Sequence, residues 1–151
     1  MNILKVSKGI VKILVCVGIN LLGRYLAMIM NLPFWLDSIG TMIIAIWMGP
    51  VAGAVCGSLS NISLQIIESN ALPYLPVSVA VGVFLGLLYP KERATYIKIV
   101  SAAVLTGVIA ALISTPINLY IYGGRTGNIW GDGFMDMISR DVNVPILTSF
   151  L

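Results

Sequence analysis

Apolar residues run in five long blocks along the chain, at residues 10–31, 36–48, 51–67, 74–89 and 97–121, and polar or helix-breaking residues separate them. A helix needs about 20 apolar residues to cross the hydrocarbon of a bilayer, so the pattern predicts five transmembrane helices. The second block is short for a crossing, which predicts that it packs inside the bundle or is partly re-entrant. Pro33, Pro50, Pro73, Pro90 and Pro145 fall at or beside the block ends, where proline costs least, while Pro116 sits inside the fifth block and predicts a kink. From Gly133 to Leu151 the chain carries Asp136, Arg140 and Asp141 and then a short apolar run, the pattern of a partial sixth helix.

Composition supports the same class. Hydrophobic residues make up 58% of the chain and charged residues 10%, against roughly 25% charged in a soluble domain. The expected fold is therefore an all-α integral membrane protein, a single transmembrane domain over residues 1–151. The N-terminal apolar block exceeds a signal-peptide core and lacks an A-x-A cleavage site, so it is expected to be a span rather than a leader.

Charge placement orients the bundle. Lys5, Lys8 and Lys12 precede the first block, and Lys91, Arg93 and Lys98 lie between the fourth and fifth. Basic loops stay in the cytoplasm, and four crossings separate these two groups, so both fall on one side. The expectation is a multi-pass cell-membrane protein with a cytoplasmic N-terminus. The outward loops then hold Trp35, Asp37, Glu68, Asn70, Tyr74, Tyr122, Arg125, Asn128, Trp130 and Asp132.

Candidate chemistry is sparse. The chain has no histidine, and Cys16 and Cys56 lie within apolar blocks as packing residues, so neither a metal site nor a cofactor is expected. No Walker A run occurs, and GSLSN lacks the last glycine of a nucleophile elbow, so no enzymatic activity is expected. No basic run alternates with exposed aromatics, which argues against nucleic acid as a partner.

Polar and small residues form four patterns. Gly49, Gly53 and Gly57 recur every four residues at the start of the third block, a stripe suited to close helix packing or, less simply, to facing a ligand. Asn61, Gln65 and Glu68 share one face near its outer end, where they serve either helix–helix hydrogen bonds or the wall of a binding site. Arg24 lies deep in the first block and must snorkel or pair; Asp37 is the nearest acid beyond it. The segment NLYIYGGRTGNIWGDG is glycine-rich and carries Arg125, Asn128, Trp130 and Asp132. Such a segment can fold over a pocket, with tryptophan stacked on a flat ligand, or can anchor at the headgroups. Asn118 and Tyr122, four apart at the outer end of the fifth block, point toward the same face.

The segments LPFWLDSIGTMIIAIWMGPVAGAVCGSLSN and STPINLYIYGGRTGNIWGDG resemble the substrate-binding S components of energy-coupling factor (ECF) vitamin transporters. The resemblance covers most of the chain and is most specific at the acid before the second block, at GP-x-x-GA-x-x-G and at GNIWGD. It implies a six-helix membrane protein that binds a vitamin-like micronutrient from outside under a loop cap. It also implies docking on a transmembrane coupling protein with two ATPase subunits, and toppling in the bilayer to release substrate inside. Family members dock through small residues four apart on the first helix. Here Leu14 and Gly18 occupy that place, while Gly23 and Ala27 have better spacing but lie toward the outer half.

Substrate capture is therefore the leading expectation, with Trp35, Asn61, Gln65, Glu68, Asn118, Tyr122, Asn128 and Trp130 as pocket residues and Glu68 recognising a cationic or donor-rich group. A membrane-embedded ligand-sensing domain of a signalling system is the alternative.

Overall fold

The computed structural model describes residues 3–32, 36–89, 95–125, 132–133 and 136–137. The described elements are α1 (Ile3–Ile29), α2 (Ile39–Met48), α3 (Pro50–Gln65), a 3₁₀ turn (Leu72–Tyr74), α4 (Leu75–Leu88) and α5 (Tyr96–Tyr122). Among the described residues there is no strand.

Helix ends follow from local chemistry. Asn31 takes a left-handed conformation (φ 47°) just past α1, and the Leu32 amide donates to the Ala27 carbonyl at 3.0 Å, which ends the helix with its last carbonyls engaged. Gly49 has φ 93°, a backbone shape that a side chain disfavours, and so reverses the chain between α2 and α3 in one residue. Pro50 then opens α3, where a missing amide hydrogen costs nothing. Pro73 and Pro76 stand in the first turns of the 3₁₀ turn and of α4. α5 continues through Pro116.

Two of the helices, Ser7–Ile29 with 23 residues and Tyr96–Tyr122 with 27, are long and apolar enough to cross a membrane. The expectation of five clear spans is corrected here. Five helices stand close to the predicted blocks, but α2 has 10 residues, α3 has 16 and α4 has 14. At 1.5 Å per residue these are about 15 to 24 Å long, short of the roughly 30 Å of hydrocarbon. The proposed sixth helix lies almost wholly outside the described residues.

Two compact units divide the chain, Met1–Ala111 and Leu112–Leu151. In the first, α3 and α4 run antiparallel in close contact: Gly53 meets Gly82, Gly57 meets Ser78, and Gly86 meets Pro50. A Cβ on Gly57 would come within 2.6 Å of the Ser78 carbonyl oxygen, and one on Gly82 would collide with the Gly53 backbone. The small-residue stripe of α3 is thus spent on packing, as lipid demands where apolar side chains gain little by meeting each other. Cys16, Val17, Ile44, Ala52 and Cys56 form the core that joins α1, α2 and α3. Both cysteines are free and buried. Within the part of α5 that belongs to the first unit, Ala102 and Thr106 are buried.

Candidate functional site

A buried amide ties three helices together beneath the end of α1 farther from the N-terminus. The Asn20 side chain is fully enclosed. Its Nδ2 donates to Thr41 Oγ1 of α2 and to Ser60 Oγ of α3, both at 2.8 Å, and its Oδ1 accepts from the Gly40 amide at 2.6 Å. Gly40 can approach because it has no Cβ; one would overlap the Cys16 carbonyl. Ser60 Oγ donates onward to the Cys56 carbonyl at 2.9 Å. Among the described residues no enclosed side-chain polar atom lacks a partner, so this cluster is a closed hydrogen-bond knot. Asn20 was not singled out from the sequence. The available signal was an amide one helical turn before Arg24 in an otherwise apolar block.

One turn farther along α1, Arg24 meets Glu68. Arg24 Nε lies 2.9 Å from Oε1 and 3.1 Å from Oε2 of Glu68, and Nη2 also donates to Oε2. The two side chains keep 19% and 24% of their surface exposed. Asp37, the partner expected from sequence proximity, stands within electrostatic reach of both groups and accepts a hydrogen bond from Ser38 Oγ at 3.3 Å. Thus Arg24 pairs with the acid 44 residues away rather than with the nearer one. Burial pushes the Asp37 carboxyl above its usual range, while the Arg24 guanidinium opposes that shift.

The other candidates divide into three groups. Asn61 is buried and donates to the Gly57 carbonyl at 3.1 Å and to Ser78 Oγ of α4. Gln65 ties the turn after α3, its Nε2 donating to the Ser69 carbonyl at 2.9 Å and its Oε1 accepting from the Leu72 amide at 2.8 Å. The expected polar face of α3 is therefore engaged internally, at Asn61 with α4 and at Gln65 with the loop, while Glu68 lies beyond the helix end, in that loop, and pairs with α1. Asn118 and Tyr122 lie at the end of α5 in the second unit, where the Asn118 carbonyl accepts from the Gly124 amide at 2.9 Å. In that unit Arg125 also pairs with Asp136 at 2.9 Å. Trp35, Asn128 and Trp130 fall outside the described residues.

The candidate docking residues on α1 separate by face. Leu14 and Gly18 are exposed, and a Cβ on Gly18 would meet nothing within 4 Å. Gly23 and Ala27 are buried, with Gly23 closed against Leu36.

The sequence carries a family signal consistent with this architecture. The family model described as "ECF transporter, substrate-specific component" matches residues 8–141. Neither a curated protein nor a solved structure gives a match. The matched range takes in all of α2 to α5 and most of α1, and with it every described residue of the site. This chain belongs to the family of ECF transporter substrate-specific components.

Proposed function

We propose that this protein is the substrate-capture subunit of an ECF-type uptake transporter, which binds a small vitamin-like micronutrient from outside and passes it inward without chemistry of its own. Components of this family work with membrane-embedded coupling and ATPase modules. The observation that carries the proposal is a cluster of charge at the end of the bundle opposite the basic N-terminus. Arg24, Glu68 and Asp37 gather there from α1, the loop after α3 and the loop before α2. Charge in a membrane protein is costly unless it meets water, a partner or a ligand, and it marks functional sites for that reason. Trp35, Asn118, Tyr122, Asn128 and Trp130 are proposed as further substrate-binding residues, and Asn61 and Gln65 as the residues that hold the end of α3 in shape. The N-terminus is assigned to the cytoplasm. Docking on the coupling protein is assigned to the exposed Leu14 and Gly18, since Gly23 and Ala27 are already used within the bundle.

Mass spectrometry of the small molecules retained by the detergent-purified protein tests the proposal. A heterocyclic micronutrient present near one equivalent, and reduced in Trp130→Ala, is the expected result. A protein that retains no such molecule, and gains no thermal stability from any of a panel of vitamins and their precursors, overturns it.

A further inference from the structure

Two lysines share one face of α1 at the end where the chain begins. Lys8 and Lys12 are four residues apart, which makes them neighbours on the helix surface, and both are exposed. A helical side chain leans toward the N-terminus of its own helix, so Lys12 is aimed at the level of Lys8. Lys12 lies about 7.5 Å along α1 from Ser7, where the stretch long and apolar enough to cross a membrane begins. Its stem can therefore run beside apolar surface while its ammonium reaches the headgroups.

The neighbouring helix brings an aromatic residue to the same level. α2 runs antiparallel to α1: Gly40 stands against Cys16, and a Cβ on Gly9 would meet Met48 Cε at 3.3 Å. Trp47 follows Gly40 by seven residues, nearly two turns, and so shares the side of α2 that faces α1, about 10 Å nearer the basic end. That register sets Trp47 level with Gly9 to Ile13. It still keeps 70% of its surface exposed, which puts it at the open edge of the α1–α2 seam rather than inside it.

Charge decides the occupant. Among the described residues of the first unit the acids are Asp37 and Glu68, and both stand at the opposite end, with Arg24. Lys8 and Lys12 thus face no described acid within their own unit. Tryptophan settles at the headgroup level of a bilayer, and the anion found there is lipid phosphate. We propose that Lys8, Lys12 and Trp47 bind the phosphate of an anionic phospholipid at the α1–α2 seam. Two ammonium groups without a compensating acid favour a headgroup that carries no cation of its own, which selects anionic over zwitterionic lipid. The site requires only that α1 enters a membrane, so its failure and the failure of the uptake proposal are distinguishable.

Native mass spectrometry of the full-length protein, released from nanodiscs that hold equal parts phosphatidylglycerol and phosphatidylcholine with the same acyl chains, provides the test. Retention of phosphatidylglycerol is expected to exceed that of phosphatidylcholine by on the order of 10-fold. Lys8→Gln with Lys12→Gln should abolish the preference, and Trp47→Ala should weaken retention. Lys98→Gln, which removes one charge from an exposed position on α5, should change neither. Inorganic phosphate at millimolar concentration should not displace the lipid, because the acyl chains also hold it against the helices. Thermal melting in detergent gives a second measurement: phosphatidylglycerol should raise the melting temperature of the native protein and not that of the double lysine variant. Equal retention of the two lipids, a preference that survives in the double variant, one lost equally in Lys98→Gln, or displacement by inorganic phosphate overturns the proposal.

Discussion

Glu68, in the loop that follows α3, grips Arg24 of α1 through both carboxylate oxygens, with Arg24 Nε 2.9 and 3.1 Å from them. The pair fastens the loop after α3 to the far end of α1 and removes the need for Arg24 to snorkel. A bidentate, charge-assisted pair that is mostly shielded from solvent leaves a costly residue behind when either member is lost.

Replacing one member is therefore expected to cost more than replacing both. Glu68→Gln or Arg24→Met should each lower stability by about 1 to 3 kcal/mol, whereas Arg24→Met with Glu68→Met should recover part of that loss. Equilibrium unfolding in detergent checks this through a double-mutant cycle. Strictly additive losses would show that the pair contributes no coupling.

Asn20 is expected to be the most sensitive polar position in the first unit. Asn20→Leu strands the Gly40 amide and deprives Thr41 and Ser60 of their shared donor, for a loss on the order of 2 to 3 kcal/mol. Asn20→Asp keeps the acceptor for Gly40 and should fall between the native protein and Asn20→Leu. Thermal melting of the three purified proteins reads the order directly, and equal melting temperatures would contradict the role assigned to the knot.

Glycines that look alike in sequence are expected to respond very differently to a single methyl group. Gly82→Ala forces Cβ into the Gly53 backbone and should separate α3 from α4, with a loss of about 2 kcal/mol or more. Gly107→Ala on α5 places its methyl where nothing lies within 4 Å and should leave stability unchanged or raise it by about 1 kcal/mol. Melting curves for the two variants compare them under one condition.

Docking and ligand capture are expected to separate at Gly18. Gly18→Leu adds bulk to an open face of α1, so ligand retention and melting temperature should stay native while co-purification with coexpressed coupling and ATPase subunits is lost. Assembly that survives this substitution would move the docking surface elsewhere on the chain.

Much of the architecture was legible along the chain because hydrophobic length and helix-breaking residues are local. The fifth block, read as 97–121, is the helix Tyr96–Tyr122, and the fourth, read as 74–89, is the 3₁₀ turn and helix from Leu72 to Leu88. Glycines four apart announced a close helix contact. Overstatement came at α3 and α4, whose apolar blocks were read as spans although they fall short of the roughly 20 residues a crossing needs, while the second block was already expected to be short. Local spacing also predicted one helix face for Asn61, Gln65 and Glu68, but α3 ends at Gln65 and Glu68 reaches Arg24 from the loop beyond it.

By itself, the sequence determined an all-helical membrane protein, its family and the approximate helix ends. Tertiary structure alone decided that Arg24 takes Glu68 instead of the nearer Asp37, that Asn20 joins α1 to α2 and α3, and that Gly23 faces inward while Gly18 stays open. The reason is geometric. Periodicity sets which residues share a helix face, but the rotation of that face toward its neighbours depends on contacts made by helices many residues apart.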